Sequence, residues 1–572
     1  MRFTWTRGLA VAMCCHALAV AGCGGSPAAK VACGTTGTGG GTGGSGGTGG
    51  AAGAWQYTNP VIKGDWSDPG VLRFGEDYYS VRSTFGWQPG LAVAHSKDLV
   101  HWEYVGNGFS SFPSIAAGEV ASGIWGSEIV YNPNTSMFMI YATWNGTNGF
   151  LVFESATPEG PYAAVPGGLV TDGYDPGVFV DDDGRVYLVS SNGKIAELSA
   201  DGKTVINPMV SSYAGWNEGP ELFKRGSTYY VTWSSNGTER GANGIINSAR
   251  STTLAGPWYP DPANPVLQNL NNGTDPDHPF EGPQHPEVIE TQNGEWFVTF
   301  HTWENNYGTL ARNMCLEPVM WTDDGWWRPK NGKKPSLTND GPDLPFTPYE
   351  IRRSDDFSST ALGPQWFFHT APDASGASWS LSERPGFLRI KTRDGDVNGA
   401  AAYQGIPLQR IDLKRFDAET AVSFDAADGA EAAGLILHAT LAFNVTFALT
   451  RTDTGPVIEL ATFTNAASRT DGAGATRTTV AAVPVDSTSG APVRLKISFD
   501  GNENAAFSFS ADGCTWQAVG APISVGLGGQ VDLSWRLQEW SGATIGLFAV
   551  KRGATADNYA DFDAFTVTAN AP

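Results

Sequence analysis

Short apolar segments that alternate with polar residues recur along most of the chain, and Gly, Pro, Asp and Asn separate them. Apolar side chains at every second position predict strands with one buried face, and the residues between them predict tight turns. Charged residues make up only 16% of the chain, whereas it contains 71 Gly and 35 Pro. This composition argues against coiled coils and helical bundles. The sequence therefore predicts an all-β protein.

One strand-turn-strand unit recurs five times between residues 68 and 301. Each copy begins with a polar or small residue, usually followed by Pro, and continues with an apolar strand, a turn and an aromatic-rich strand. The copies are DPGVLRFGEDYYSVRST (68–84), GSEIVYNPNTSMFMIYAT (126–143), DPGVFVDDDGRVYLVSS (175–191), GPELFKRGSTYYVTWSS (219–235) and HPEVIETQNGEWFVTFH (285–301). The spacing between copies leaves room for four short strands in each unit. Five such units predict a five-bladed β-propeller, which we place at residues 54–348.

A second strand-rich region follows a stretch punctuated by Pro and Gly. From residue 354 to 572 the chain alternates turns with strand-like segments such as GFLRIKTR, FNVTFALTR and VRLKISFD. Seven or more short alternating strands predict a β-sandwich domain.

The N-terminus has the features of an export signal. Arg2 and Arg7 precede an apolar run that is too short to span a membrane, so we interpret residues 1–22 as a signal peptide. The run ends in Leu-Ala-Val-Ala-Gly-Cys, which resembles a bacterial lipobox, with Cys23 as the lipidated residue. Gly fills 12 of the 20 positions from residue 34 to 53. Residues 23–53 are therefore predicted to form a flexible tether that holds a secreted protein at the bacterial cell envelope.

The charge of the chain excludes one class of partner. Asp and Glu number 58 against 36 Lys and Arg, which gives a formal net charge of −22. Such a chain repels polyanions overall, so we expect no nucleic-acid partner. The lipid anchor is the only membrane contact that the sequence predicts.

Three carboxylates occupy the beginning of the repeat. Asp68 and Asp175 begin their copies, and Glu218 directly precedes Gly219 in a third. Because the innermost strands of a propeller line its axis, these side chains are predicted to converge at one end of the channel. Paired carboxylates carry out glycoside hydrolysis, one as acid and one as base or nucleophile. The chain has no G-x-S-x-G, H-E-x-x-H or G-x-x-x-x-G-K-[ST] motif, so competing chemistries lack their residues.

Aromatic residues near these positions are candidates for sugar contacts. Phe85 and Trp87 follow the end of the first copy, and Trp125 directly precedes the second. Their rings could provide the apolar faces on which sugars pack, or they could be core residues.

Several ordered segments resemble glycoside hydrolase family 43. They are NPVIKGDWSDPGVLRFGEDYYSVRSTFGWQPGLAVAHSKDLVHWEYVG (59–106), YDPGVFVDDDGRVYLV (174–189), NEGPELFKRGSTYYV (217–231), QHPEVIETQNGEWFVTFH (284–301) and LARNMCLEPVMWTDDGW (310–326). The resemblance extends over residues 55 to 570, and it implies a five-bladed propeller that hydrolyses with inversion, followed by a concanavalin- or jelly-roll-like sandwich.

The resemblance also implies roles for individual residues. Asp68 of SDPG is similar to the general base, Glu218 of NEGP to the general acid, and Asp175 of YDPG to the carboxylate that tunes and orients the acid. Arg312 resembles an arginine that contacts the sugar. His285 resembles a histidine beneath the site that binds water or calcium.

Two segments depart from the family pattern. The usual Trp-Ala-Pro is Trp125-Gly126-Ser127 here, and the usual glycine-rich neighbourhood of the axial histidine reads GPQHP (282–286). Both departures affect the expected shape of the sugar-binding pocket. In many β-xylosidases of the family a loop of the sandwich helps to close that pocket, which makes Trp540 a candidate substrate contact. The alternatives are a surface aromatic at Trp540 and a carbohydrate-binding role for the sandwich.

The predicted function is that of an exo-acting inverting glycosidase that releases pentose units, with β-1,4-xylose from xylan fragments as the preferred substrate. The enzymatic alternative is an α-L-arabinofuranosidase acting on arabinoxylan or arabinan. A non-catalytic, surface glycan-binding lipoprotein is the alternative from another class. A retaining enzyme acting on fructans is disfavoured because its usual Asn-Asp-Pro reads Ser67-Asp68-Pro69 here. No cofactor is expected to be required, although a structural calcium ion near His285 on the propeller axis is possible.

Overall fold

The computed structural model describes most of the chain from Trp55 onwards. The described residues are 55–110, 123–144, 149–191, 193–212, 218–269, 275–305, 307–369, 378–399, 405–468, 471–486, 492–534, 540–553 and 556–571, without the side chains of 209–212. The predicted signal peptide, Cys23 and the tether lie outside these residues. Within the described ranges every regular element is a strand, and no helix is long and apolar enough to cross a bilayer.

Five antiparallel sheets form the blades of a propeller. In each blade the strands pair in chain order from the first strand outwards, and two blades end in a pair of short strands that both contact the third. Blade 1 comprises Gly70–Phe74, Asp77–Val81, Gly90–Ser96 and Glu103–Phe109; blade 2 comprises Ile124–Asn132, Met137–Trp144, Gly149–Ser155, Ala163–Ala164 and Leu169–Val170; blade 3 comprises Gly177–Val180, Val186–Ser190, Lys194–Leu198 and Val205–Ser212; blade 4 comprises Glu218–Arg225, Thr228–Ser235, Ile245–Ser251, Tyr259–Pro260 and Leu267–Gln268; blade 5 comprises Phe280–Glu290, Trp296–Glu304, Arg312–Trp321 and Trp327–Pro329.

The blades close into a complete ring. The first strand of each blade packs against the first strand of the next, and the first strand of blade 5 packs against that of blade 1. The two ends of the propeller segment meet where Gln56–Thr58 pairs with Thr338–Asp340. The five repeats of the sequence are therefore five blades, as predicted, and their first strands surround the axis.

The C-terminal region forms two packed sheets, whose strand pairs are antiparallel except that Arg393–Asp394 runs parallel to Thr544–Lys551. One contains, in spatial order, Trp379–Ser380, Leu388–Lys391, Tyr559–Ala569, Arg415–Ser423, Val493–Asp500, Asn504–Ser510 and Gln517–Ala518, with Ile523–Ser524 beside Asn504–Ser510. The other contains Arg393–Asp394, Thr544–Lys551, Glu431–Thr440, Phe443–Thr452, Gly455–Thr464 and Thr476–Pro484, with Leu408–Arg410 beside Thr544–Lys551. Alternating burial, as in Arg415–Ser423, directs apolar side chains into the core between the sheets. The predicted sandwich is confirmed.

The propeller and the sandwich share a continuous apolar interface. Phe85 and Trp87 of blade 1 belong to the same buried cluster as Phe367, Ile436 and Phe548 of the sandwich region. The backbones of Gln88 and Phe368 exchange two hydrogen bonds across the interface, of 2.9 and 2.6 Å. Fully burying one large apolar side chain contributes about 1.5–3 kcal/mol. These contacts attach the sandwich to blade 1.

Candidate active site

The five residues that begin the repeats adopt one unusual backbone conformation. Asp68, Gly126, Asp175, Gly219 and His285 all have φ between 51° and 55°. A left-handed conformation is uncommon for residues with a side chain, and here it recurs at the same position of all five blades. We call these five positions the head layer. Their shared geometry shows that they are structural equivalents around one axis.

Side chains of neighbouring blades hold this layer in place. Each head N–H donates to a side-chain acceptor, and most of these acceptors lie at the end of the second strand of the preceding blade. The bonds run from Asp68 to His301 Nδ1 (3.1 Å), Gly126 to Ser83 Oγ (2.8 Å), Asp175 to Thr143 Oγ1 (2.9 Å), Gly219 to Asp175 Oδ2 (2.9 Å) and His285 to Ser234 Oγ (2.7 Å). The pair Asp68–His301 joins blade 1 to blade 5 and so closes the ring.

Crowding on the axis requires glycine at two of the heads. A Cβ atom on Gly126 would lie 2.1 Å from Asp175 Oδ1, and one on Gly219 would lie 2.6 Å from His285 Cγ. Only Asp68, Asp175 and His285 therefore extend side chains from the head layer.

Asp68 is surrounded by groups that keep it ionised. Its Oδ1 is 2.9 Å from Arg312 Nη1, and its Oδ2 accepts a hydrogen bond of 2.5 Å from Ser83 Oγ. His285 Nε2 and His301 Nδ1 lie 3.4 and 3.3 Å from Oδ1. Burial alone would raise the pKa of Asp68, but the Arg312 guanidinium, the largest of the lowering causes, holds it well below its ordinary value. An ionised carboxylate of this kind can accept a proton from water.

Glu218 has the opposite character. Burial, followed by the negative charge of Asp68, raises the pKa of Glu218 to about 7, although Arg312 lowers it in part. Its Oε1 is buried and has no hydrogen-bond partner among the described residues. A carboxyl group that retains its proton near neutral pH can donate it to a leaving oxygen.

Asp175 interacts electrostatically with both of the other carboxyl groups. Burial and the charges of Asp68 and Glu218 raise the pKa of Asp175 well above its ordinary value. Its Oδ2 accepts the hydrogen bond from the N–H of Gly219, the residue that follows Glu218. Asp175 therefore fixes the backbone that carries Glu218. The negative charge of Asp68 is the largest like-charge contribution to the raised pKa of Glu218, and Glu239 adds to it.

A single cavity of about 270 Å³ contains these groups. Small-molecule pockets typically measure about 300–1,000 Å³, so this one suits a small ligand such as one sugar ring. The residues that line it come from all five blades and from the sandwich: Asp68, Phe85, Trp125, Tyr174, Asp175, Glu218, Thr238, His285, Arg312 and Trp540. All three predicted carboxylates and five of the six other predicted contacts thus lie at the same cavity.

Trp87 is the exception and corrects one prediction. It is only 1% exposed and does not line the cavity. Its ring packs edge-on against Phe367, and its Nε1 donates to Ser541 Oγ at 3.1 Å. The alternative that it is a core residue is therefore correct. The sequence could not show this because Trp87 packs against a domain that is hundreds of residues away in the chain.

Trp540 reaches the cavity from the sandwich. Its carbonyl oxygen accepts a hydrogen bond of 3.1 Å from Arg312 Nη2, while Arg312 Nη1 contacts Asp68. The guanidinium carbon of Arg312 also lies 5.8 Å from the centre of the Phe85 ring. The sandwich therefore completes the wall of the cavity and orients the arginine beside Asp68.

Two lining residues, Tyr174 and Thr238, were not predicted. Trp125, Tyr174 and Glu218 each directly precede a head, and all three line the cavity. The repeat alignment could have identified Tyr174 from this shared position. Thr238 Oγ1 lies 2.9 Å from His301 Nε2 and 3.1 Å from Arg312 Nη1. It belongs to the loop between the second and third strands of blade 4, outside the repeated segment 219–235.

A second carboxylate cluster lies below the head layer. Glu128, Glu221 and Glu287 each follow a head by two residues, and they have carboxylate oxygens within 4.8 Å of one another. Burial raises the pKa of Glu128 to about 8 and raises the pKa values of Glu221 and Glu287 well above the ordinary value. We call these residues the glutamate layer. The sequence signal for this layer is a glutamate at the third position of three repeats, which read GSE, GPE and HPE.

The residues of the glutamate layer fit a hard divalent cation. Calcium prefers oxygen ligands, and three carboxylates lie close together here. A void of about 20 Å³ is lined by Glu128 and Glu287 together with His285 and Ser127. The Ser127 hydroxyl is buried, with no hydrogen-bond partner among the described residues. His285, the predicted metal contact, lies one layer above, with its Nε2 3.4 Å from Asp68 Oδ1 and 3.6 Å from Asp175 Oδ2.

Two family models match consecutive regions of the chain. The model described as glycosyl hydrolases family 43 matches residues 57–327, which contain blades 1 to 4, the first three strands of blade 5 and all three catalytic candidates. The model described as a beta xylosidase C-terminal concanavalin A-like domain matches residues 354–568.

Individual relatives cover the chain to different extents. A non-reducing end alpha-L-arabinofuranosidase of Bacteroides ovatus is 33% identical over 59% of this chain, and the match spans 65% of that relative's length. A xylosidase/arabinosidase of Butyrivibrio fibrisolvens is 28% identical over 89% of this chain and 98% of its own. The crystal structure of the GH43 BlXynB protein from Bacillus licheniformis superposes with a TM-score of 0.79 at 32% identity, covering 90% of this chain and all of that one.

Proposed function

The chain belongs to glycosyl hydrolase family 43, and on that premise we propose that it is an exo-acting, inverting glycosidase that releases pentose units from the ends of plant cell-wall glycans. One observation carries the proposal. A single small cavity contains a carboxylate with a depressed pKa, Asp68, and a carboxyl group with a pKa of about 7, Glu218. Two such groups are the base and the acid that glycoside hydrolysis requires.

The proposed reaction is one direct displacement. Asp68 accepts a proton from a water molecule, whose oxygen forms a bond to the anomeric carbon. The glycosidic C–O bond breaks at the same time, and the leaving oxygen takes the proton of Glu218. Arg312 holds Asp68 in place, and Asp175 holds the backbone of Gly219 beside the acid. At the end Asp68 is protonated, Glu218 is ionised and the sugar has the opposite anomeric configuration.

Xylose is the preferred sugar in this proposal. The matched C-terminal model carries the name beta xylosidase, and the relative from Butyrivibrio fibrisolvens is named for both activities. The cavity of about 270 Å³, closed on one side by Trp540, suits a single terminal residue better than a long chain. Xylo-oligosaccharides and xylan fragments are then the substrates.

An α-L-arabinofuranosidase is the second candidate. The relative from Bacteroides ovatus carries that name. A panel of nitrophenyl β-xyloside, α-L-arabinofuranoside and β-galactoside separates these possibilities by kcat/KM. Proton NMR of the first product, read before mutarotation, then tests the stereochemistry: a β-xyloside should give α-xylose first. A β-anomer would contradict inversion, and binding of glycans without any turnover would favour a non-catalytic surface protein.

Calcium is part of the proposal as a structural ion. Glu128, Glu221 and Glu287 would hold it, and the Ser127 hydroxyl and the His285 imidazole lie at the void that Glu128 and Glu287 line. Bound there, calcium would supply positive charge to three buried carboxylates. None of the catalytic steps above passes through it.

Export as a lipoprotein is also part of the proposal. Its support is the sequence alone: the arginines and apolar run of residues 1–22, and the lipobox-like segment that ends at Cys23. A Cys23→Ser variant expressed in a bacterial host should leave the membrane fraction. Unchanged fractionation would contradict the anchor.

A further inference from the structure

A buried ion pair joins the sandwich to the segment that carries Asp68. Asp65 lies three residues before Asp68, and it is completely buried. Its Oδ2 is 2.7 Å from Nη1 of Arg410, which ends the sandwich strand Leu408–Arg410. We propose that Arg410 is a positioning residue: through its ion pair with Asp65, the sandwich domain fixes the backbone that presents the base Asp68. This inference rests on the proposed function.

Two short routes lead from Asp65 to Asp68. In the first, the hydroxyl of Ser67 donates to Asp65 Oδ1, and Ser67 directly precedes Asp68. In the second, Nη1 of Arg82 lies 3.6 Å from Asp65 Oδ2 and donates to the carbonyl oxygen of Ser83 at 3.1 Å. Ser83 Oγ then donates to Asp68 Oδ2 at 2.5 Å. One buried carboxylate is thus connected both to the backbone before Asp68 and to a donor on its side chain.

The backbone at this segment needs such support. Asp65 and Asp68 have φ values of 63° and 51°, so two side-chain-bearing residues within four positions are left-handed. Such conformations are unfavourable and persist only where the surrounding structure fixes them. Hydrogen bonds from blade 5 fix one side, because the N–H groups of Asp65 and Trp66 donate to the carbonyl oxygens of Leu310 and Arg312. The ion pair to Arg410 fixes the other side.

Arg410 is well suited to this position. Its guanidinium carbon lies 5.4 Å from the centre of the Trp87 ring and 4.9 Å from that of Phe367. A planar cation can stack on aromatic rings and still contact a carboxylate, whereas the ammonium of lysine offers charge without the plane. Arg82 faces the same carboxylate, so two buried cations share one anion. Loss of Arg410 would leave Asp65 to Arg82 alone and allow the segment to move towards blade 1.

The simpler explanation is that Arg410 only stabilises the domain interface. The two explanations differ in what they predict for folded enzyme. An interface residue affects the folded fraction and the melting temperature, whereas a positioning residue changes kcat and the ionisation of Asp68. The charged and titratable groups that face Asp68 are Arg312, His285, His301, Asp175 and Glu218, and none of them is altered by substituting Arg410.

The experiment compares Arg410→Gln, Arg410→Lys and the control Lys414→Gln in the full chain. Lys414 pairs with Glu304 across the same interface, away from Asp68. In Arg410→Gln we expect kcat on a nitrophenyl glycoside to fall about 10- to 100-fold, because small displacements of a catalytic group cost rates of that size. The acidic limb of its pH profile should move to higher pH as Asp68 loses its fixed donors. Arg410→Lys should recover most of both effects, and Lys414→Gln should show neither.

A second variant and a structural measurement complete the test. If Arg410→Gln does not fold, Asp65→Asn replaces it, because the amide can still accept the Ser67 hydrogen bond without the charge. In either variant a crystal structure should show Asp68 Oδ2 displaced from Ser83 Oγ. Wild-type kcat and an unmoved acidic limb in folded variant, or an undisplaced Asp68, would overturn the proposal. A wild-type protein that hydrolyses no glycoside would refute the proposed function instead, and the crystallographic comparison would still test the role of Arg410.

Discussion

Two layers of carboxyl groups lie on the propeller axis, and the pKa values of Asp68 in one layer and of the three glutamates in the other are shifted in opposite directions. In the head layer the pKa of Asp68 is held well below its ordinary value, chiefly by the guanidinium of Arg312. In the glutamate layer, two residues further along each strand, burial raises the pKa values of all three glutamates, and no cation is among the causes that act on them. Burial is similar in both layers. The comparison teaches that the placement of one guanidinium decides which buried carboxyl group stays ionised.

The largest effect should come from removing that base. We expect Asp68→Ala to lower kcat about 10²- to 10⁴-fold, the usual contribution of a general base, on natural and activated substrates alike. No leaving group, however good, replaces the group that activates water. Steady-state kinetics on xylobiose and on a dinitrophenyl xyloside measure this. Retained activity on the activated substrate alone would assign Asp68 a different role.

Removing the acid should have an effect that depends on the leaving group. Glu218→Ala should lower kcat on xylobiose by about 10²- to 10⁴-fold. On a dinitrophenyl xyloside the loss should be much smaller, because this leaving group departs without protonation. In the wild type, kcat/KM should fall as pH rises through about 7, where Glu218 loses its proton. Equal losses on both substrates, or a basic limb unchanged in Glu218→Gln, would contradict the assignment.

Removing the guanidinium of Arg312 should reduce the difference in pKa between Asp68 and the three glutamates. Arg312→Met should leave Asp68 without a neighbouring guanidinium, as the glutamates of the glutamate layer are. Since a nearby opposite charge lowers a carboxyl pKa by about 1–3, the acidic limb of kcat/KM should rise by about 1–3 pH units. Arg312→Lys is the matched control, because it retains the charge but loses the second contact with the Trp540 carbonyl. If the acidic limb does not move in Arg312→Met, Ser83 and the histidines are sufficient to keep Asp68 ionised.

Much of the fold, and the position of three carboxyl groups at one cavity, could be predicted because the signal is local and repeated. Each blade contains its own turn and strands, and Asp68, Asp175 and Glu218 occupy comparable positions in three copies. Trp87 and Arg410 could not be predicted in the same way. Their environment is created by contact between domains that are distant in sequence, and neither occupies a repeated position. Thr238 was missed because it lies in the loop after the repeated segment 219–235, where the repeat predicts no particular residue.

The smallest expected effect lies in the glutamate layer, and it tests how buried carboxyl groups behave without a guanidinium. The folded-state pKa of Glu128 is about 8, above that of an exposed glutamate. A raised folded pKa contributes stability that is fully present below the unfolded pKa and is lost as pH rises through the folded value. In buffer with chelator, the melting temperature should therefore fall between about pH 5 and pH 8. Glu221→Gln should reduce this fall by a few degrees, since about 1 kcal/mol corresponds to about 2–4 °C in a domain of this size.

Added calcium should have the opposite effect on the melting temperature at high pH. If the glutamate layer binds calcium, added calcium raises the melting temperature of the wild type at pH 8, and Glu221→Gln responds less, because it lacks one oxygen ligand of negative charge. Glu317→Gln is the matched control: Glu317 is also buried, with a pKa raised to about 7, but it accepts hydrogen bonds from Asn59 and Ser336 and is absent from the axial cluster. It should respond to calcium as the wild type does. Equal responses in all three proteins would exclude the glutamate layer as the calcium site, and the pH dependence of stability would then be the only consequence of placing three carboxyl groups together.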